Sequence, residues 1–287
     1  MNRLKELRHF SDFVKLSHSV FAMPFALASL VMALRGCPGW RILGLVMVAV
    51  VAARTAAMGF NRIADMRFDA ANPRTAERHL PSGKMSMPVA WGIVLVSSIA
   101  FVFISAAINP LALRLSPVAL AVVLGYSLTK RFTRFSHFFL GAALGLAPLG
   151  AWVAARGEVA DPAPWLLALA VMFWVAGFDM IYALQDAEFD RAHGLHSMIV
   201  SLGASRSLQL VRLLHGAMLL ILVAVGFLLQ MRWPYFAGLV IVLASLVWEQ
   251  VLIRKLNQGN LQLAFLQANA AASFGYLAAV MMGVFAG

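Results

Sequence analysis

Two stretches of the sequence carry acids at a spacing that suits chemistry. The first, Asn61-Arg-Ile-Ala-Asp65-Met-Arg-Phe-Asp69, sets an amide and two carboxylates at i, i+4 and i+8. On a helix these three share one face. The second, Asp179-Met-Ile-Tyr182-Ala-Leu-Gln-Asp186-Ala-Glu-Phe-Asp190, repeats the interval with Tyr182, Asp186 and Asp190. Like charges four residues apart destabilise a bare helix, so two such ladders want a cation. Mg2+ suits them, because it takes oxygen ligands, few of them from protein, and is completed by water and substrate phosphates. Bases stand close by: Arg67, Arg74 and Arg78 near the first ladder, Arg191 near the second, and Lys130 and Arg131 at the end of an apolar run. Arginine contacts phosphate bidentately and lysine acts as a point charge. The chemistry indicated is metal-assisted handling of a diphosphate. A lone i, i+4 Asp pair is ordinarily a solvated helix end; the repeat, with Asp179 about two turns before Asp186 at membrane depth, sets these apart, since acids at such depth are costly and functional.

The elements that must position these residues are membrane helices. Of 287 residues 62% are hydrophobic and 12% charged, with a mean hydropathy of +0.83. Soluble domains run about 45–50% apolar and about 25% charged, so a soluble protein is excluded. Nine apolar runs are long enough to cross a bilayer as helices: 18–34, 41–60, 88–108, 111–129, 137–155, 163–184, 208–229, 234–253 and 262–285. Breaks such as Gly36-Cys37-Pro38-Gly39, Asn109-Pro110, Asp161-Pro162 and Asn257-Gln258-Gly259-Asn260 punctuate them. The runs are continuous and do not alternate, which excludes a β-barrel. The expected class is therefore an all-α polytopic membrane protein with nine transmembrane helices, as one domain over 18–287 preceded by an extension over 1–17.

Basic residues set its sidedness. Under the nine-span reading seventeen of the twenty-three Lys and Arg fall on the side of the N-terminus, five fall on the other, and Arg54 lies within a span. Cytoplasmic loops carry the excess of Lys and Arg, so the N-terminus is expected in the cytoplasm. The formal net charge of +11 is then a topology signal and a meeting point with anionic head groups, and no nucleic-acid partner is expected. Both acid windows fall on the cytoplasmic side, in the two longest polar connections, 61–87 and 185–207. Long polar loops on an otherwise minimal bundle are where function is expected. Cys37 is the single cysteine, so neither an intrachain disulfide nor a cysteine metal site is expected. His193 and His196 have a spacing that zinc could use, but other good ligands are missing and loop hydrogen bonding is the competing reading.

The stretch from Asn61, Asp65 and Asp69 to Asn72-Pro73-Arg74-Thr75-Ala76-Glu77-Arg78-His79-Leu80-Pro81-Ser82-Gly83 resembles the first signature of the UbiA superfamily of intramembrane aromatic prenyltransferases. Asp179 to Ser197 resembles the second, and Tyr126-Ser-Leu-Thr-Lys130-Arg131 is similar to the family's tyrosine-and-lysine element. The resemblance implies a bundle around a central cavity capped by the two cytoplasmic loops. It implies Asn61, Asp65, Asp69, Asp186 and Asp190 as ligands of Mg2+ and the diphosphate of a polyprenyl donor, with Lys130, Arg131 and Tyr126 helping to hold that diphosphate. It also implies a bacterial-type plasma membrane location and two substrates, a polyprenyl diphosphate and an aromatic acid; no obligate protein partner is evident.

The transfer then expected is loss of diphosphate to leave an allylic cation, and attack by an electron-rich phenolic ring. Asp179 and Tyr182 could orient the phenol, stabilise the cation or take the ring proton, although a buried helix-helix hydrogen bond would also explain Asp179. Arg54, seven residues before Asn61, could meet an aromatic carboxylate or the diphosphate, or form a salt bridge to Asp179. Phe173, Trp174 and Phe178 could stabilise the cation through their rings or simply pack. The segment Asn72 to Ala76 resembles the 4-hydroxybenzoate polyprenyltransferase group. The opening Lys15-Leu-Ser-His18 and the pair Asn61-Arg62 lean towards relatives that prenylate a dihydroxynaphthoate for menaquinone. An ion-coupled transporter is the rival from another class, weakened by the absence of a Gly/Pro-broken midplane helix pair.

Overall fold

The computed structural model describes residues 22–255 and 258–286. The expected extension over 1–17 and the opening residues of the first expected span lie outside the described residues. Ten α-helices follow in chain order: α1 Ala22–Leu34, α2 Trp40–Ala71, α3 Met87–Ile108, α4 Pro110–Thr129, α5 Ser136–Arg156, α6 Pro162–Ala183, α7 Ala187–Ala192, α8 Met198–Leu228, α9 Trp233–Lys255 and α10 Gln258–Phe285. One 3-10 turn, Leu184–Asp186, joins α6 to α7. There is no strand among the described residues.

The helix ends follow from their residues. Asn109 and Asp161 each accept a hydrogen bond from the first turn they cap, at Ala112 N and Ala163 N, and each precedes a proline that needs no donor partner. Gly157 ends α5 in the left-handed region at φ 69°. Ser197 caps α8 through Val200 N. Among the described residues, eight helical segments are long and apolar enough to cross a bilayer: those of α2, α3, α4, α5, α6 continuing through α7, α8, α9 and α10. The thirteen described residues of α1 form a shorter apolar helix. In order, these helices overlie the nine expected runs, eight as candidate spans and α1 as a shorter helix. Helix α2 extends past the run expected at 41–60 because its polar continuation remains helical. Helix α8 begins before 208, with a short helical stretch that a non-helical Gly203 (φ 78°) kinks away from the rest.

The packing joins two groups through α5. In one, α2, α3 and α4 pack on each other and α4 on α5; in the other, α6 packs on α8, α9 on α10, and α1 lies against α5 and α10. The core between the helices of the second group holds Phe25, Trp174, Tyr235 and Tyr276, with the Phe25 and Tyr276 rings stacked at 4.9 Å. Outward faces carry Phe103, Leu213, Leu220 and Phe227, a surface suited to lipid. Trp40, Trp165 and Trp233 are exposed at the starts of α2, α6 and α9, at one end of the bundle, as an aromatic belt would be.

Two close approaches fix α6, the helix that carries Asp179 and Tyr182. On α5, Gly141 and Gly145 lie against the α6 backbone: a Cβ on Gly145 would come within 2.7 Å of the Ala168 carbonyl oxygen, and one on Gly141 would strike that of Met172. Small residues four apart let membrane helices meet at this range. On the opposite side of α6, Gly177 makes room for the ring of His215 on α8. His215 Nε2 lies 3.3 Å from the Trp174 carbonyl, and its Nδ1 lies 3.3 Å from Glu249 on α9, which accepts a hydrogen bond from Asn269 on α10.

Candidate active site

At the end of the bundle opposite the tryptophans, the continuation of α2, the loop that follows it and the α6–α7 junction enclose a polar pocket of about 210 Å³. Its wall includes Asn61, Asp65, Asp69, Asn72, Arg74, Arg78, Lys130, Asp179, Tyr182, Asp186 and Asp190. The first ladder forms as its spacing predicts. Because α2 continues unbroken to Ala71, Asn61, Asp65 and Asp69 share one face, and Asn61 Nδ2 donates to Asp65 Oδ2 at 3.2 Å. The second ladder does not ride one continuous α-helix. The chain tightens into the 3-10 turn at Leu184–Asp186 and starts again at Ala187, yet Tyr182, Asp186 and Asp190 all reach the same pocket.

Three of the carboxylates are held by bases. Lys130 Nζ donates to Asp65 Oδ2 at 2.7 Å, and Arg78 Nη1 to Asp69 Oδ1 at 2.6 Å. Arg74 forks onto Asp186, with Nε on Oδ1 at 2.8 Å and Nη2 on Oδ2, and its Nη1 donates to the Tyr182 hydroxyl at 3.1 Å. Asn72 Nδ2 adds a 3.1 Å bond to Asp186. Burial works against the charge of Arg74, but the hydrogen bonds and charges of Asp186 and Tyr182 outweigh it and hold the guanidinium above its ordinary value. The loop after α2 is thereby fastened to the α6–α7 junction, more than a hundred residues away in sequence. Lys130 is itself tied to the second window, since its carbonyl accepts from His196 N at 2.7 Å.

These residues fit a hard divalent cation. Asp65 Oδ1 and Asp69 Oδ2 are buried and accept no hydrogen bond, so two anionic oxygens one turn apart are open to a ligand. Five carboxylates against three bases line the pocket, a formal excess of negative charge that a bound cation would relieve. Among the described residues no three His, Cys, Asp or Glu side chains are gathered as a metal-binding group.

Below the polar pocket lies an apolar cavity of about 410 Å³, walled by α2, α3, α4 and α5 and reaching Val159 and Trp165 at the far end. Arg54 and Tyr126 line it near the polar pocket: Arg54 is two turns before Asn61, and Tyr126 one turn before Lys130. Arg54 Nε is buried without a hydrogen-bond partner, and the salt bridge to Asp179 that was its alternative role is not formed, because Asp179 is held by His137 instead. A cation in an apolar wall with an unsatisfied donor can receive an anionic group.

Other expected residues lie elsewhere. Arg67 is two positions from Asp65, hence on the opposite side of α2, and is exposed. Arg131 donates to the Ala64 carbonyl and lies over the Phe68 ring, while Arg191 is exposed. Neither is in the pocket wall. Trp174 and Phe178 meet edge to face at 5.2 Å inside the core, and Phe173 packs beside them; the aromatic residues lining the pocket are Phe68, Tyr182 and Phe189. His193 Nδ1 bonds the Phe189 carbonyl and the ring stacks on Phe189. Sequence reasoning gave no role to His137, which belongs to no motif, or to Asn72, which stands in the first signature but bonds Asp186 of the second.

The model of the UbiA prenyltransferase family matches residues 22–277. The chain belongs to the UbiA prenyltransferase family. Among curated relatives, the 4-hydroxybenzoate octaprenyltransferase of Methylobacillus flagellatus is 33% identical over 81% of this chain and 79% of its own length. That of Alkalilimnicola ehrlichii is 33% identical over 83% and 80%. Among solved structures, the apo UbiA homolog of Aeropyrum pernix K1 has a TM-score of 0.83 at 32% identity, covering 92% of this chain and 97% of that one. A UbiA homolog of Archaeoglobus fulgidus, bound to GPP and Mg2+, shares the fold at a TM-score of 0.74 and 19% identity, over 96% and 99%. As a UbiA-family member the chain is an all-helical, multi-pass membrane prenyltransferase, and the transporter reading falls away.

Proposed function

We propose that this enzyme transfers a polyprenyl group from polyprenyl diphosphate to the ring of an aromatic acid of the 4-hydroxybenzoate type, releasing diphosphate, in the synthesis of a respiratory quinone. The observation that carries this reading is the juxtaposition of the acid-and-base pocket with an apolar cavity, separated by Arg54 and Tyr126. The diphosphate belongs in the first, the isoprenoid tail in the second, and the acceptor carboxylate near Arg54. The names of the curated relatives support the acceptor class.

Asn61, Asp65, Asp69, Asp186 and Asp190 would hold Mg2+, which supplies charge neutralisation for the departing diphosphate. Lys130, Arg74 and Arg78 are already at the carboxylates, where they would meet the phosphate oxygens of the donor. Donors aimed where charge develops are often the largest contribution to catalysis. Phe68, Phe189 and Leu195 are the apolar side chains lining the pocket and would help to exclude water from the allylic cation. Tyr182, which accepts from Arg74, orients the phenol, and Asp179 takes the ring proton. The site end also carries most of the Lys and Arg, which supports a pocket that opens to the cytoplasm of a bacterial plasma membrane.

A second acceptor, a dihydroxynaphthoate, is favoured by Arg62 after Asn61. Purified protein with Mg2+ and a long-chain prenyl diphosphate, offered 4-hydroxybenzoate and dihydroxynaphthoates in parallel, separates the two. Prenylation of at least one is expected; prenylation of neither overturns the acceptor class.

A further inference from the structure

Two acids of the pocket, Asp179 and Asp190, are held by no lysine or arginine, and of the five only Asp179 is paired with a histidine. Its Oδ2 lies 2.6 Å from Nδ1 of His137, the second residue of α5. The imidazole is 4% exposed and the carboxylate 28%. His137 Nε2 is buried without a hydrogen-bond partner, so the ring has one polar contact, and that contact is Asp179. In the neutral imidazole one nitrogen donates and the other accepts; a carboxylate on Nδ1 puts the proton there. The α5–α6 approach at Gly141 and Gly145 brings this about. His137 is one turn before Gly141 on the same face, and Asp179 is two turns after Met172.

We infer that His137 is the positioning residue that makes Asp179, and not Tyr182, the acceptor of the ring proton. Nδ1–H fixes Oδ2, which leaves Oδ1 of this pocket-lining carboxylate to take the proton. The Tyr182 hydroxyl, by contrast, is engaged by Arg74. In the step, the allylic C–O bond breaks with its electron pair going to diphosphate, and a ring C=C pair forms the new C–C bond. The C–H bond at that carbon then breaks, its pair restores the aromatic ring, and the proton goes to Asp179 Oδ1. Electrons balance without an oxidant or reductant. His137 touches none of the reacting atoms; it orients the carboxylate and stabilises its negative charge until the proton arrives.

This inference rests on the aromatic transfer proposed above, and one experiment separates their failures. Wild type, His137→Ala and His137→Gln are compared as full-length chains in detergent, with Mg2+, prenyl diphosphate and 4-hydroxybenzoate or dihydroxynaphthoate, with and without deuterium at the ring position that is substituted. His137→Ala is expected to lower kcat about 10–100-fold, the range of outer-shell positioning effects, with the donor KM little changed. A primary deuterium isotope effect absent from wild type should appear on kcat, and added imidazole should recover part of the rate. His137→Gln, which keeps an N–H donor, should retain much of the activity. A loss in His137→Ala with no isotope effect and no imidazole rescue overturns the inference and leaves the transfer standing. A wild type that prenylates neither acid overturns both.

Discussion

At the scale of single residues, the site is a set of acids held by bases that a substrate must take over. Asp65→Ala and Asp186→Ala are each expected to abolish turnover while expression and monodispersity on size exclusion stay near wild type. Full activity in either variant would mean that the carboxylates do not carry the metal. Removing divalent ions by chelation should stop product formation, and adding Mg2+ back should restore it. Arg74 holds Asp186 with two hydrogen bonds and Tyr182 with a third. Charge-assisted bonds contribute about 1.5–3 kcal/mol each, and about 1.4 kcal/mol is tenfold; Arg74→Ala should therefore raise the donor KM by about tenfold or more. Arg74→Lys should recover only part of this, since lysine lacks the fork, and steady-state kinetics with varied donor would show it. The acids were legible because Asn61, Asp65 and Asp69 obey a local period. Asn72 and His137 were not, because their meaning depends on Asp186 and Asp179, 114 and 42 residues away.

At the scale of elements, the site exists because α5 and α6 come together closely. Gly141→Leu would force a branched side chain into the α6 backbone at Met172. Overpacking of this kind typically costs about 1–3 kcal/mol. The expected result is a lower melting temperature in detergent together with a fall in kcat, because His137 and Asp179 are drawn apart. Gly92→Ala on α3, where a Cβ would meet nothing within 4 Å, should leave both unchanged and serves as the control. The helices themselves were legible from apolar run length, and the breaks at Asn109-Pro110 and Asp161-Pro162 became caps as their chemistry dictates. The 3-10 turn at Leu184–Asp186 was not: a four-residue spacing reads the same whether the helix continues or tightens. Nor was the role of Gly141 and Gly145, since a small-residue pair declares its partner only once another helix lies across it.

At the scale of the whole molecule, two pockets of opposite character share one axis, a polar one at the basic end and an apolar one reaching the tryptophan end. Composition announced the membrane and the ladders announced the diphosphate chemistry. The apolar cavity had no motif, because any bundle of Ala, Val and Leu could have closed instead. On α2 it runs from Val46 to Met58, about 18 Å at 1.5 Å per residue. Leu115, Val118 and Trp165 line it and are also 37%, 62% and 53% exposed, and Gly150 in its wall is exposed as well. A blind well measures what it holds; a trough breached along its flank cannot. Donors too long for the cavity should pass sideways among the acyl chains, so kcat/KM is expected to change little once the donor outgrows the trough, as a series of prenyl diphosphates of increasing length would show. An enzyme of that kind would have no ruler of its own, and the length of the transferred prenyl tail would be decided upstream, by whichever synthase makes the donor.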